Sequence, residues 1–305
     1  MSLQTFATKS SIRTGWLFAL SATLIYGFQP ILLKLTLSEG VRADDLLVVR
    51  LCMATLIFWV MTFLRRQTLE PLPRHAFVWT FICAACFVLG MFGYTLSLSY
   101  LSASVASMIF AAFPLVTLLL MAMLGESFTR RKALRVALGL LGVYLVIGPG
   151  GELSSLGTGL ALGACVIYAI YLVIMQKRLS AYSGKIIMLY VTSFTAVLFM
   201  LLNLRGGVDF SSITLLAWTY IILQAAIATY AALLLVFSAI KRLGSAQIAL
   251  LFPLELLLTI LWSVVLLNES LSAMQLIGGT LILASLVLAI NNPKFLRRRL
   301  IRPRI

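Results

Sequence analysis

The sequence predicts an all-α integral membrane protein: ten transmembrane helices, arranged as two inverted-topology five-helix repeats around a central cavity. Three observations carry that prediction. Of 305 residues, 62% are hydrophobic and only 11% are charged, far from the composition of a soluble domain. Apolar runs of about 20 residues recur along the chain, long enough as helices to cross a hydrocarbon core of ~30 Å. The second half of the sequence also repeats the first. A transmembrane β-barrel would need short alternating segments with a polar lumen face, and the chain has none.

The spans fall at residues 14–37, 45–64, 76–97, 102–124, 133–148, 156–178, 185–204, 213–238, 245–267 and 273–291. Span 1 has no small-residue cleavage site behind it and contains Pro30 and Lys34, so it reads as a retained helix, not a signal peptide. Span 2 carries Arg50, and span 3 carries "CAAC" at 83–86. That spacing suits a redox pair, but a free cysteine in a lipid-embedded helix packs as a small apolar residue. Cys52 and Cys165 read the same way. Span 4 is broken by Pro114 and span 9 by Pro253. The connections are short and hold no soluble domain.

A net charge of +15 would suit a nucleic-acid binder if it were clustered on one face. Here all but four of the 24 Lys and Arg residues fall on the side of the membrane that holds the N-terminus. The exceptions are Lys34, Arg42, Arg50 and Arg205. Such a bias places both termini in the cytoplasm. The basic tail, 292–305, then touches anionic lipid, with no role for nucleic acid.

The repeat is visible in two places. "GWLFALSATLIY" (15–26) aligns with "GTGLALGACVIY" (157–168), pairing Gly15 with Gly157 and Tyr26 with Tyr168. The stretch 102–127 aligns with 245–270, sharing Ser-Ala at the start and Glu-Ser at the end. The offsets, 142 and 143 residues, agree, so 14–148 and 156–291 are two copies of one five-span unit. Five is odd, so corresponding helices run in opposite directions and Glu126 and Glu269 face opposite sides. Inverted repeats are typical of secondary transporters, with the substrate site at the repeat interface near the midplane.

Two five-helix halves, "GES" and "NES" closing spans 4 and 9, and Arg50 in span 2 together resemble the drug/metabolite transporter superfamily in its EamA-type branch. The resemblance covers about 14–291. It implies a ten-helix carrier of the bacterial inner membrane, exporting amino acids or other small metabolites through a cavity lined mainly by spans 1, 3, 4, 6, 8 and 9. The second half departs from the pattern at Leu257, which stands where Pro114 stands in the first. Its proline has moved to Pro253, which puts the bend about one turn earlier.

Ionisable groups within a span face a cavity or a partner, because a charge at mid-bilayer costs at least ~2.5–3.5 kcal/mol. Lys34 and Arg50 lie toward the outer ends of their spans. They read as anchors that snorkel to the interface or pair with Asp44 and Asp45. Glu255 is too deep and too short to snorkel. Its helical face runs Gln247, Leu251, Glu255, Thr259, then Trp262 and Ser263, a polar stripe on an otherwise apolar helix. Either Glu255 locks helix packing, or that face looks onto a water-filled cavity; the repeat position in the first half is Ala112, which demands no acid. The same plane collects Tyr26 and Gln29 from span 1, Tyr94 from span 3 and Ser107 from span 4. Tyr168 and Tyr171 from span 6 and Gln224 from span 8 complete the set. Aromatic walls suit an aromatic or branched amino acid, and equally a larger opine-type metallophore, drug or vitamin.

His75, the single histidine, sits in a cytoplasmic loop, so no His-based triad or metal site is expected in the membrane. No P-loop or GxSxG sequence is present, and "GPGG" (148–151) reads as a turn. No cofactor is implied. A carrier without an ATP site is facilitative or ion-coupled, with protons as the candidate ion, and its partners are the bilayer and a small molecule. The remaining alternative is an intramembrane enzyme using Glu255 as an acid/base. The sequence leaves oligomeric state open.

Overall fold

The computed structural model describes residues 9–64, 71–148, 153–203, 206–243, 247–248 and 250–288. Among these there is no strand. The helices are α1 (Lys9–Ser38), α2 (Ala43–Leu64), α3 (Arg74–Ser97), α4 (Ala103–Phe110), α5 (Phe113–Met123) and α6 (Arg130–Ile147). They continue with α7 (Ser155–Ile174), α8 (Gly184–Leu202), α9 (Leu215–Leu223), α10 (Ala232–Leu243), α11 (Phe252–Leu267) and α12 (Ala273–Val287). Two π-helical stretches extend them: Met175–Leu179 after α7, and Gln224–Ala231, which joins α9 to α10.

Six stretches are long and apolar enough to cross a membrane: Ile12–Ser38, Ala43–Leu64, Arg74–Ser97, Ala103–Met123, Ser155–Leu179 and Leu215–Ile240. Three more, Ile186–Leu202, Phe252–Leu267 and Ala273–Val287, are apolar but shorter. The 16 residues of α11 reach only about 24 Å at ~1.5 Å per residue. The outward faces are greasy: Leu17, Leu56, Leu89, Leu141, Ile222 and Leu261 are all exposed. The basic tail, Arg65, Arg66, Arg205, Ser245, Ala246 and most of the "GPGG" turn lie outside the described residues.

Polar caps set the helix starts. Ser102, Thr129, Ser154 and Thr214 each accept a hydrogen bond from a backbone N–H in the first turn of α4, α6, α7 and α9, satisfying donors that helices leave orphaned. Ser272 and Gln275 form a reciprocal capping box at α12. Proline explains the interruptions. α4 stops at Phe110, and α5 restarts at Phe113 with Pro114 in its first turn; Pro253 sits likewise in the first turn of α11. The restart at Phe252 comes one turn before the repeat position of Phe113, as the displaced proline leads one to expect.

The two halves interlock. The first helix of each packs on later helices of the other: α1 runs along α10 and α11, and α7 runs along α3, α4 and α5. The last helices of the halves, α6 and α12, meet along their lengths. Glycine makes that approach possible: a Cβ on Gly142 would lie 2.7 Å from the Gly278 carbonyl, and one on Gly278 would lie 2.5 Å from the Gly142 carbonyl. Arg135 adds a hydrogen bond from Nε to the Ser285 carbonyl at 3.1 Å.

"GES" and "NES" are conformational signals as well as repeat markers. The residue before each glutamate turns left-handed at a helix end, Gly125 with φ +88° and Asn268 with φ 52°. Glycine and asparagine are the residues that tolerate this cap. At the second site the turn brings Glu269 to the start of α4. Its carboxylate accepts from the Ala103 and Ser104 N–H groups (2.5 and 3.0 Å) and from the Ser104 hydroxyl (2.5 Å). Lys34 serves the same end of the molecule, donating to the Leu98 and Leu101 carbonyls at the turn between α3 and α4. It therefore caps a helix end instead of pairing with an aspartate. Asp44 pairs with Arg42.

Candidate functional site

A cavity of about 420 Å³ opens where α1, α2, α3, α4, the start of α5, α7, α8, α11 and the π-helical stretch leading into α10 face one another. Eight of the ten residues picked out by sequence line it: Tyr26, Gln29, Tyr94, Ser107, Tyr168, Tyr171, Glu255 and Thr259. The volume suits a single small metabolite.

One wall is aromatic. Tyr168 stands with its ring centroid 5.2 Å from Phe110, 4.9 Å from Phe113 and 5.4 Å from Tyr171. Tyr94 meets Phe110 at 4.8 Å, and Phe252 closes on Phe113 at 5.0 Å. The tilted and edge-on geometries are those that ring quadrupoles favour. The break between α4 and α5 turns Phe110 and Phe113 toward the same space. The Tyr94 hydroxyl and the Ser107 Oγ share a hydrogen bond of 2.8 Å, and the Tyr171 hydroxyl contacts the Met188 sulfur at 3.8 Å.

Glu255 enters through a close helix contact. Gly27 on α1 has no room for a Cβ, which would lie 2.8 Å from Leu258 Cβ and 3.1 Å from the Glu255 carbonyl. Thr259 ties the contact, donating to the Gly27 carbonyl at 3.0 Å and to the Glu255 carbonyl at 3.1 Å. Its hydroxyl is thus committed to packing, although its side chain borders the cavity. The Glu255 carboxylate has no ion-pair partner among the described residues. The phenols of Tyr26, Tyr94 and Tyr168 are all within its electrostatic reach.

Two sequence choices fall outside the lining. Gln224 is fully buried, and its Nε2 donates to Thr36 Oγ1 (3.0 Å) and the Leu32 carbonyl (3.3 Å), so it binds helices together. Trp262 turns away from the cavity to meet Phe28 edge-on at 5.9 Å.

Sequence reasoning missed a residue of more consequence. Arg50 does not snorkel: it is 2% exposed and borders the cavity. Its Nε and Nη2 donate to Thr229 Oγ1 at 3.3 and 3.1 Å, and its Nη1 has no partner among the described residues. The available signal was its charge within an apolar helix, which by itself marks a functional site. Thr229 owes its position to the π-helical stretch, where its hydroxyl donates to the Gln224 carbonyl five residues back at 2.9 Å.

Comparison with known proteins agrees with this architecture. A family model described as the EamA-like transporter family matches twice, at residues 13–148 and 155–291. An "Uncharacterized transporter YcbK" of Bacillus subtilis (strain 168) is 22% identical over 277 residues, which cover 87% of this chain and 88% of the relative. A solved crystal structure, 19% identical, superimposes with a TM-score of 0.64 over 94% of this chain and 99% of its own.

Proposed function

The chain belongs to the EamA-like transporter family and is a membrane transporter of small molecules; from that premise we propose a secondary transporter that exports an amino acid or amino-acid-like metabolite across a bacterial inner membrane. Ten spans form two inverted repeats, 14–148 and 156–291. Both termini and the basic tail 292–305 are cytoplasmic, and the cavity is the substrate site.

The observation that carries the reading is the cavity itself: a carboxylate without an ion-pair partner set among tyrosines, where helices of the two halves meet. Support for inversion comes from the odd number of spans per copy and from the cross-packing of α1 and α7. The one-sided distribution of Lys and Arg supports the orientation, and the family resemblance supports export. Glu255 meets the substrate ammonium or carries a coupling proton. Tyr26, Tyr94, Tyr168 and Tyr171 stack against the side chain, while Gln29 and Ser107 meet polar groups. Thr259 holds the Glu255 backbone in place.

Glu255→Gln keeps shape and hydrogen-bonding capacity while deleting the charge. In proteoliposomes, counterflow of labelled phenylalanine or leucine should fall at least tenfold in Glu255→Gln at matched amounts of folded protein, or lose its dependence on pH. Wild-type rates with an unchanged pH profile would leave Glu255 as a packing residue and remove the main support for the site.

A further inference from the structure

Among the described residues, two charged side chains line the cavity, and they are of opposite sign: Arg50 and Glu255. They do not form an ion pair with each other, nor with any other described residue. Removing a guanidinium from water is costly unless its donors are met. Arg50 is buried with one neutral hydroxyl shared by two of its nitrogens and with Nη1 unmatched. A purely structural arginine would be expected to find a carboxylate or a set of carbonyls. Thr229 instead holds the fork from one edge and leaves the other edge free.

We propose that Arg50 is the anion-binding residue of the transport site, accepting the substrate's carboxylate on its free edge while Glu255 takes the ammonium. This rests on the amino-acid reading and sharpens it to a zwitterionic head group recognised at both charges. The guanidinium plane matches a carboxylate in geometry as well as charge. A zwitterion offers a counter-charge to each of the two buried groups that line the cavity. An amine lacking the carboxylate leaves Arg50 uncompensated, and an acid lacking the amine leaves Glu255 so. Tyr26, within electrostatic reach of both groups, borders the same space. Thr229 is a positioning residue: it sets the guanidinium plane and need not touch the substrate.

Four probes separate the parts: phenylalanine, phenethylamine, 3-phenylpropionate and phenylalanine methyl ester, each titrated against the purified full-length protein in nanodiscs. Wild type should bind phenylalanine about 10- to 100-fold more tightly than phenethylamine or the methyl ester, the range expected for hydrogen bonds to a charged group. Arg50→Gln should bind phenylalanine and phenethylamine alike, while still preferring phenylalanine to 3-phenylpropionate. Arg50→Lys, which keeps the charge and guards against misfolding of the glutamine variant, should retain the carboxylate preference with about tenfold weaker affinity. Thr229→Val should weaken phenylalanine and leave phenethylamine unchanged. If Arg50→Gln keeps the wild-type preference, or Arg50→Lys the wild-type affinity, the assignment of Arg50 is overturned and the amino-acid reading stands. If wild type binds none of the four probes, the amino-acid reading fails and takes this assignment with it.

Discussion

Glu126 and Glu269 occupy equivalent places in the two halves, each following a left-handed residue at a helix end, yet they do different things. Glu269 reaches into the other half and gathers three donors at the start of α4, beside the turn that Lys34 also caps. Glu126 makes an ion pair with Lys177 at 3.3 Å, with both side chains a little over a third exposed. The first arrangement uses the partial positive charge of a helix N-terminus and several charge-assisted bonds. The second is a solvated pair of small worth. Sequence symmetry therefore does not extend to contact symmetry: one end of the molecule is latched by its glutamate and the other is not.

The largest expected effect is on the latch. Glu269→Ala should lower stability by about 2–3 kcal/mol, since it orphans two backbone donors and a hydroxyl. Glu126→Ala should cost under about 1 kcal/mol. Thermal unfolding of both variants in one detergent measures the contrast, and equal losses would break the comparison. The left-handed turn offers a finer test. Gly125→Asn, which copies the second half, should be tolerated, while Gly125→Val should cost about 1–2 kcal/mol from the left-handed backbone. A Gly125→Asn variant as unstable as Gly125→Val would mean that the two turns are not equivalent. The smallest effect is expected at Lys177. Lys177→Ala should change stability by less than about 1 kcal/mol at low salt and by nothing measurable near 1 M salt, where screening reaches ~3 Å. A loss that survives high salt would give the Lys177 side chain a packing role.

Much of this architecture could be read from residue order. Runs of apolar residues, capping serines and threonines, and the prolines at 114 and 253 are local signals, and the helices start and stop where those signals stand. Glu255 was legible because it lies on a polar stripe at helical period, and the tyrosines because they stand at a similar depth in other spans, with Tyr26 and Tyr168 at matching repeat positions. The misreadings have physical causes. Gln224 opens the π-helical stretch, beyond which the faces no longer follow that period, and its amide is claimed by Thr36 and Leu32 of α1. Trp262 lies near the edge of the Glu255 stripe, where Phe28 of α1 draws the indole away from the cavity. Arg50 was judged by its distance from the end of its own helix. Its surroundings depend on Thr229, 179 residues later, and no local pattern encodes that pairing.

The glycine contact between α6 and α12 also imposes a timetable. During translation α6 is polymerised before any residue of the second half, and α12 is made after every other described helix. From Gly142 until Gly278 is added the Gly142 face therefore has no α12 backbone opposite it, and the first half waits with that groove empty. A chain released before Gly278 would keep that groove, shaped to receive a helix at backbone distance, and would offer it to whatever neighbour shared the bilayer.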